Sequence, residues 1–325
     1  MLKNTYKYGY IKLAKGIDLG KIKTKYRFFG KIGISTEDFG KKWYCLPSGK
    51  GIFKTFTDNS YIMIRENRII NEFVCAELCK QVGIPAPKLE PATLCNISGL
   101  ISYNVVQNKH QKLLTAEELF NKLNYPISNE LVDFREAFNI LRNKNYNIDV
   151  KKATMDIYKI AVFDTITMQT DRHINNIFFI LDKKTKEVKV APLIDNEFAF
   201  FGQGIEKVIK DKQTDIKEDI MPNYVKFARI IQTSRNMKPY EHNAPEKDIV
   251  NCALSHRGFD VILKEVLKNL DPKNAVENVR KLGYEIPVEY EEYICEIIST
   301  TKKITIEEYQ KQLKERHLED DEIVK

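Results

Sequence analysis

Asp171, Asn176 and Asp195 carry the most chemistry for their spacing. In Asp171-Arg172-His173-Ile174-Asn175-Asn176 an amide follows a carboxylate by five positions, and a second carboxylate, Asp195, lies nineteen positions further on. Phosphoryl transfer needs few protein parts. One carboxylate orients the attacking hydroxyl and takes its proton, while an amide oxygen and another carboxylate hold magnesium, a hard cation that takes oxygen ligands, against the phosphate. Any one of these residues alone would more often cap a turn or end a strand. Together, bracketing two apolar runs, they read as a site.

The elements that must position them follow from the pattern around them. Ile177-Phe178-Phe179-Ile180-Leu181 and Val188 to Ile194 read as two strands joined by the polar turn Asp182 to Glu187. A lone hairpin is marginal in water, so this one has to pack on something. Residues 25 to 106 read as β-rich with one inserted helix. Trp43 to Leu46 and Gly51 to Phe56 are strands across a Pro-Ser-Gly-Lys turn, and helical spacing runs from about Arg68 to Val82 until Gly83, Pro85 and Pro87 stop it. Leu100-Ile101 and Val105-Val106 suggest one more strand. Past residue 110 the texture is helical. Thr115-Ala116-Glu117-Glu118 has the form of a helix cap, and helices are expected near 131–142, 152–169, 248–269 and 288–299, with a charged helix or frayed tail over 302–325.

Composition narrows the class. The 325 residues are enough for one or two domains, and 43% hydrophobic against 30% charged is a globular balance rather than a disordered one. No apolar stretch is long enough to span a bilayer, and the first residues lack the core of a secretory signal, so a soluble protein made in the cytoplasm is the expectation. The formal charge of +7 is scattered and interleaved with acids, which reads as a solvated basic surface; no helix-turn-helix or zinc-finger pattern accompanies it, and no specific nucleic-acid binding is expected. Of the six cysteines, Cys75 and Cys79 stand one helical turn apart without a second pair or a histidine to complete a zinc set, so reduced, buried thiols are expected.

The segment Thr170 to Asn176, with Pro192-Leu193-Ile194-Asp195-Asn196-Glu197, resembles the catalytic and metal-binding motifs of HipA-like serine/threonine kinases. Asn71 to Pro85 looks like that family's helix and its Gly-x-Pro exit, and Gly99-Leu100-Ile101-Ser102-Tyr103 like the strand entering its hinge. The resemblance covers about residues 33 to 200. It implies an α+β, two-lobed, protein-kinase-like fold, with a small β-rich lobe over 1–106 and a larger, mostly helical one over 107–325. It further implies Asp171 as catalytic base, Asn176 and Asp195 as ligands of magnesium (manganese as possible substitute), and His173 either near the nucleotide or bonded to its own loop. Larger family members carry an extra N-terminal subdomain that the roughly 30 residues before the phosphate loop do not supply, so pairing with an antitoxin is not implied. Specialised export into a host cell is compatible with the resemblance.

Such an enzyme also needs a cation on the ATP phosphates. Lys54, ahead of the helix bearing Glu72, is the choice, held by Glu72 as an ion pair. Arg65 competes, because Tyr61 to Arg65 has the look of another strand. Gly30, Gly33 and Gly40 flank a candidate phosphate loop in which Ser35 and Thr36 are candidate autophosphorylation sites. Ser102 to Asn104 would offer backbone groups to adenine by position. The expected substrate is a protein hydroxyl on serine or threonine. A phosphoinositide or other lipid kinase uses the same residue set, a catalytically dead binding module could keep the fold, and a basic nucleic-acid binder remains a further reading.

Overall fold

The computed structural model describes residues 16–18, 42–46, 49–54, 62–94, 97–125, 133–200 and 245–323. The candidate phosphate loop, with Gly30, Gly33, Gly40, Ser35 and Thr36, lies outside them.

Strands β1 (Ile17–Asp18), β2 (Lys42–Leu46), β3 (Gly49–Lys54), β4 (Leu89–Leu94) and β5 (Ile97–Tyr103) form one sheet in the order β1-β4-β5-β3-β2, antiparallel except where β1 meets β4. Gly99 is required there. A Cβ on it would stand 2.3 Å from the Lys54 carbonyl and 2.7 Å from the Phe53 ring, so only glycine lets β5 lie against the strand that ends in Lys54.

Helix α1 (Ile62–Gln81) is buried nearly all round, with Ile69, Ile70, Phe73, Val74, Leu78 and Cys79 inside, as befits a helix with core on several faces. It begins six residues before the expected start. Residues 62–65 are therefore its first turn and not a strand, because the apolar run there falls into the same helical period as Ile69 and Phe73. Gly83 at φ +66 ends it, with Ile84 N–H bonded back to the Cys79 carbonyl.

The hairpin does not stand alone. Strand β6 (Gln111–Thr115) pairs with β7 (Phe178–Asp182), which pairs with β8 (Val188–Val190), all antiparallel. Helices α2 (Ala116–Asn121), α3 (Phe134–Asn143) and α4 (Val150–Ile166) pack beneath. Phe120, Phe134, Phe138 and Phe179 meet with ring centroids 5.8 to 6.3 Å apart, joining two helices to the middle strand. Thr115 caps α2 in a capping box with Glu118, as expected from its sequence.

Beyond the hairpin come α5 (Pro245–Ser255), α6 (Phe259–Asn269), α7 (Pro272–Lys281) and the long α8 (Val288–Ile323). The expected single segment over 248–269 is two helices parted at Gly258, φ +89. Of the two readings for 302–325, a charged helix or a frayed tail, the helix is present, as a continuation of α8 to Ile323. Val105-Val106 form no strand, and β4, β6 and α7 were not foreseen. The architecture is mixed, with two small, mainly antiparallel sheets and many helices. No helix among the described residues is long and apolar enough to cross a membrane. Cys75, Cys79 and Cys252 are buried free thiols, and Cys295 is half-buried and free.

Candidate active site

Lys54 closes β3 and is 6% exposed, facing α1. Its ammonium lies 2.9 Å from Glu72 Oε1 and also pairs with Asp195 Oδ1. Burial alone would pull its pKa down; Asp195, Glu72 and Glu197 outweigh that and raise it, so the ammonium stays charged. The other Glu72 oxygen accepts the Asn196 N–H at 3.1 Å. One buried carboxylate on α1 thus holds both the lysine and the turn that carries Asp195. Arg65, the other cation considered, is in the first turn of α1 rather than on a strand beside Lys54.

Asp195 sits at φ +58, a left-handed conformation that generally costs an L-residue about 1–2 kcal/mol and that Asp tolerates better than most. Its surroundings fix it there. Gln169 donates to its carbonyl at 3.3 Å, and Arg172 donates to the Ile194 carbonyl at 2.7 Å. Glu72, Asp195 and Glu197 each present an oxygen within 4.8 Å of one another, an oxygen-only cluster of the kind a hard divalent cation selects.

Asp171 and Asn176 are joined directly. The Asn176 amide nitrogen donates to the Asp171 carbonyl at 2.8 Å and to its Oδ2 at 3.0 Å, which turns the amide oxygen the other way. A short 3-10 turn, Ile174–Asn176, brings them together, and His173 caps it by accepting the Asn175 N–H on Nδ1 at 3.1 Å. Of the two roles open to His173, the loop-backbone bond is thus present; its Nε2 stands 3.8 Å from Asp171 Oδ1.

Arg172 knits the parts together. Its Nε and Nη2 grip Asp164 of α4 at 2.9 and 3.2 Å, its Nη1 donates to the carbonyls of Asn176 and Ile194, and Nη2 reaches Asn196 Oδ1 at 2.6 Å. All five guanidinium donors are used. Burial raises the Asp164 pKa and Arg172 opposes that rise.

The hinge residues are less clear-cut. Ser102 is buried in β5 between Ile52 and Leu89, and the Asn104 N–H is taken by the Lys50 carbonyl at 2.8 Å. An adenine ring at this position would meet other backbone groups than that N–H.

Sequence reasoning assigned no role to several residues that matter here. Asn71, beside Glu72, donates to the carbonyls of Glu197 and Ala199 at 3.1 and 2.9 Å and accepts from Tyr290 of α8; Tyr293 donates to the Phe200 carbonyl at 2.9 Å. Arg172 lay within the motif itself, next to Asp171 and eight positions after Asp164, which was a usable signal. Tyr290, 95 positions past Asp195, carried none.

The sequence matches no protein-family profile and no curated protein. Solved structures do match. The proinflammatory kinase CtkA of Helicobacter pylori aligns with a TM-score of 0.57 over 84% of this chain and 94% of its own, at 14% identity. HipA of the Shewanella oneidensis MR-1 toxin–antitoxin system, solved with HipB and operator DNA, aligns with a TM-score of 0.51 over 87% of this chain and 66% of its own, at 13% identity. The chain shares their fold. Identities this low speak for the fold alone, and the structural neighbours are the kinases that the motif at Asp171 and Asp195 resembles.

Proposed function

We propose that the chain is an ATP- and magnesium-dependent serine/threonine protein kinase of two lobes, 1–106 and 107–325, with the reaction centre where they meet. The observation that carries this reading is the ammonium of Lys54. It is buried and charged, pairs with two carboxylates, and has one N–H without a partner among the described residues. A lysine so held between an α1 glutamate and the acid after the hairpin is suited to phosphate oxygens.

In this reading Asp171 accepts the proton of the attacking serine or threonine hydroxyl as its oxygen bonds to the γ-phosphorus of ATP and ADP leaves. Asn176 holds the Asp171 carboxylate in place through its amide nitrogen, which leaves its amide oxygen to offer to a cation. Lys54, kept in reach by Glu72, would serve the phosphate oxygens of a bound nucleotide, which would leave Asp195 able to help hold a cation. Bound magnesium, or manganese in its stead, would neutralise charge on the phosphate oxygens. Asn176 and Asp195 would hold it, with Glu197 near enough to join.

The test is transfer of label from γ-labelled ATP with magnesium, offered in parallel to a generic protein substrate, to the chain itself and to phosphoinositide vesicles. Label on serine or threonine, absent from Asp171→Asn, supports the proposal. Label only in lipid turns it into a lipid kinase. No nucleotide-dependent transfer at all leaves a binding module with a kinase fold.

A further inference from the structure

A groove of about 460 Å³ lies between α4 and β8, with the loop after α1 as its third wall; none of the residues assigned to phosphoryl transfer lines it. Its size is that of a true ligand site. Ile84, Ala153, Ile160 and Ile180 give it an apolar floor.

One wall is a strand edge that is only partly paired. The order β6-β7-β8 leaves β8 outermost. The bonds from Asp182 N–H to the Glu187 carbonyl and from Ala191 N–H to the Phe178 carbonyl aim the backbone of 187 and 191 at β7. Val188 points the other way, its N–H bonded to the Asn147 carbonyl at 3.0 Å. Strand backbones alternate with a period of two, so Val190 also points away from β7, on the groove side. Asn147 takes two groups of this edge, the Lys186 carbonyl and the Val188 N–H, before the chain turns into α4 after Asp149. Pro192 at the next outward position has no donor, so Val190 is the residue where the edge is open. The Val190 N–H has no partner among the described residues.

A second wall carries a cation with room for a better partner. Lys152 is matched by Asp156 at 2.7 Å, whereas Lys159, its side chain only 17% exposed, reaches no nearer than 3.5 Å to Glu265, which is 45% exposed. A long pair with a solvated acid contributes little and yields readily to an incoming carboxylate.

Edge donors and acceptors, an apolar floor and a lateral cation suit a chain in extended conformation better than a compact small molecule. Main-chain bonds would give affinity, and alternate side chains would give selectivity. We propose that this groove docks an extended segment of a partner protein as an added strand on β8. Apolar side chains at alternate positions would pack on Ile84, Ala153 and Ile160, and an acidic side chain would meet Lys159. The site is independent of phosphoryl transfer. Should the chain phosphorylate proteins, it would hold a substrate or regulator away from the reacting hydroxyl.

A displayed library of random nine-residue peptides, panned on the full chain, tests this, with enriched peptides labelled with fluorescein and titrated by anisotropy. The expected peptides alternate apolar residues and carry an acid. Val190→Pro removes one edge donor while leaving the β7 pairing intact, because that N–H faces away, and should weaken them about tenfold, a hydrogen bond's worth. Lys159→Ala should weaken only the acid-bearing peptides, by about threefold to tenfold. Unchanged thermal melting of both variants keeps the comparison clean, and if Val190→Pro melts early, Val190→N-methyl-valine introduced by semisynthesis replaces it. Panning that enriches nothing over bare support, peptides indifferent to both substitutions, or a fragment set that fills the groove while peptides do not, would each overturn the proposal.

Discussion

Two buried cations that meet the same turn, Ile194 to Asn196, are treated in opposite ways. Arg172 uses all five of its donors on Asp164, Asn196 and two carbonyls. Lys54 uses two of three, both on carboxylates, and one of those, Asp195, is partly exposed. A saturated cation has nothing left to offer a ligand, so its work is to fix the loops that run through it. An ammonium with a spare donor and an exchangeable acid can change partners at small cost. The difference separates scaffold from chemistry more sharply than burial does, since both side chains are almost wholly inside.

The sharpest way to break that contrast is at Arg172. Arg172→Leu leaves Asp164 buried without its counter-charge and frees two carbonyls, and should lower unfolding free energy by about 3–5 kcal/mol in urea titration. Adding Asp164→Leu should recover much of the loss, because removing both charges also removes their desolvation cost. If the single variant melts like the parent, the network is not the scaffold described.

Lys54→Met should touch both sides of the contrast. Glu72 keeps its bond to the Asn196 N–H but loses its counter-charge beside Asp195 and Glu197, so some stability should go with the lysine, while turnover of ATP should fall about 10²–10³-fold as phosphate stabilisation is lost. Steady-state kinetics beside a melting curve checks both halves. Full activity in a stably folded Lys54→Met would remove the lysine from the mechanism.

How far the sequence disclosed this arrangement follows from distance along the chain. Asp171 and Asn176 form a local motif with its own 3-10 turn, so type and spacing sufficed. Lys54 and Glu72 were legible because a strand and a helix with strong periods precede the hinge. Strand β6 was not, because only Leu114 among Gln111 to Thr115 is buried and its partner β7 lies over sixty residues away. The second half of α8 was left open between a charged helix and a frayed tail, because Thr301 and Thr305 occupy buried positions where an apolar stripe would be sought. Their hydroxyls are satisfied by the carbonyls of Ile166, Ile297 and Thr301, a solution that only the folded chain displays.

A third buried ionisable group, with no cation beside it among the described residues, extends the comparison. Glu246 at the start of α5 is 1% exposed; burial first, then the nearby acids Asp248 and Glu308, pushes its pKa up to about 7 from 4.5. The folded state then binds a proton that the unfolded chain has released, so stability is full below pH 4.5 and declines as pH rises toward 7. The loss is roughly 2–3 kcal/mol. Glu246→Gln should flatten most of that slope in urea titrations at pH 5 and pH 7.5. Asp248, raised to about 6 mainly by burial, would keep a remnant. An unchanged slope would mean that another group titrates.

The smallest expected effect tests how the C-terminal helix reaches the reaction centre. Tyr290 donates to Asn71 Oδ1, and Asn71 in turn holds the carbonyls of Glu197 and Ala199, just past Asp195. Tyr290→Phe leaves a buried amide oxygen without its donor at nearly constant volume, and should cost about 1–2 kcal/mol of stability. Asn71 still has both carbonyls to grip, so the chain after Asp195 should loosen rather than let go. Turnover should therefore fall only severalfold, and adding magnesium should restore part of it, because bound metal would pull Asp195 back into register. Tyr293→Phe, which frees the Phe200 carbonyl further along, should show the stability loss without the magnesium response. Equal magnesium responses in the two variants would mean that α8 steadies the whole loop and not Asp195 in particular.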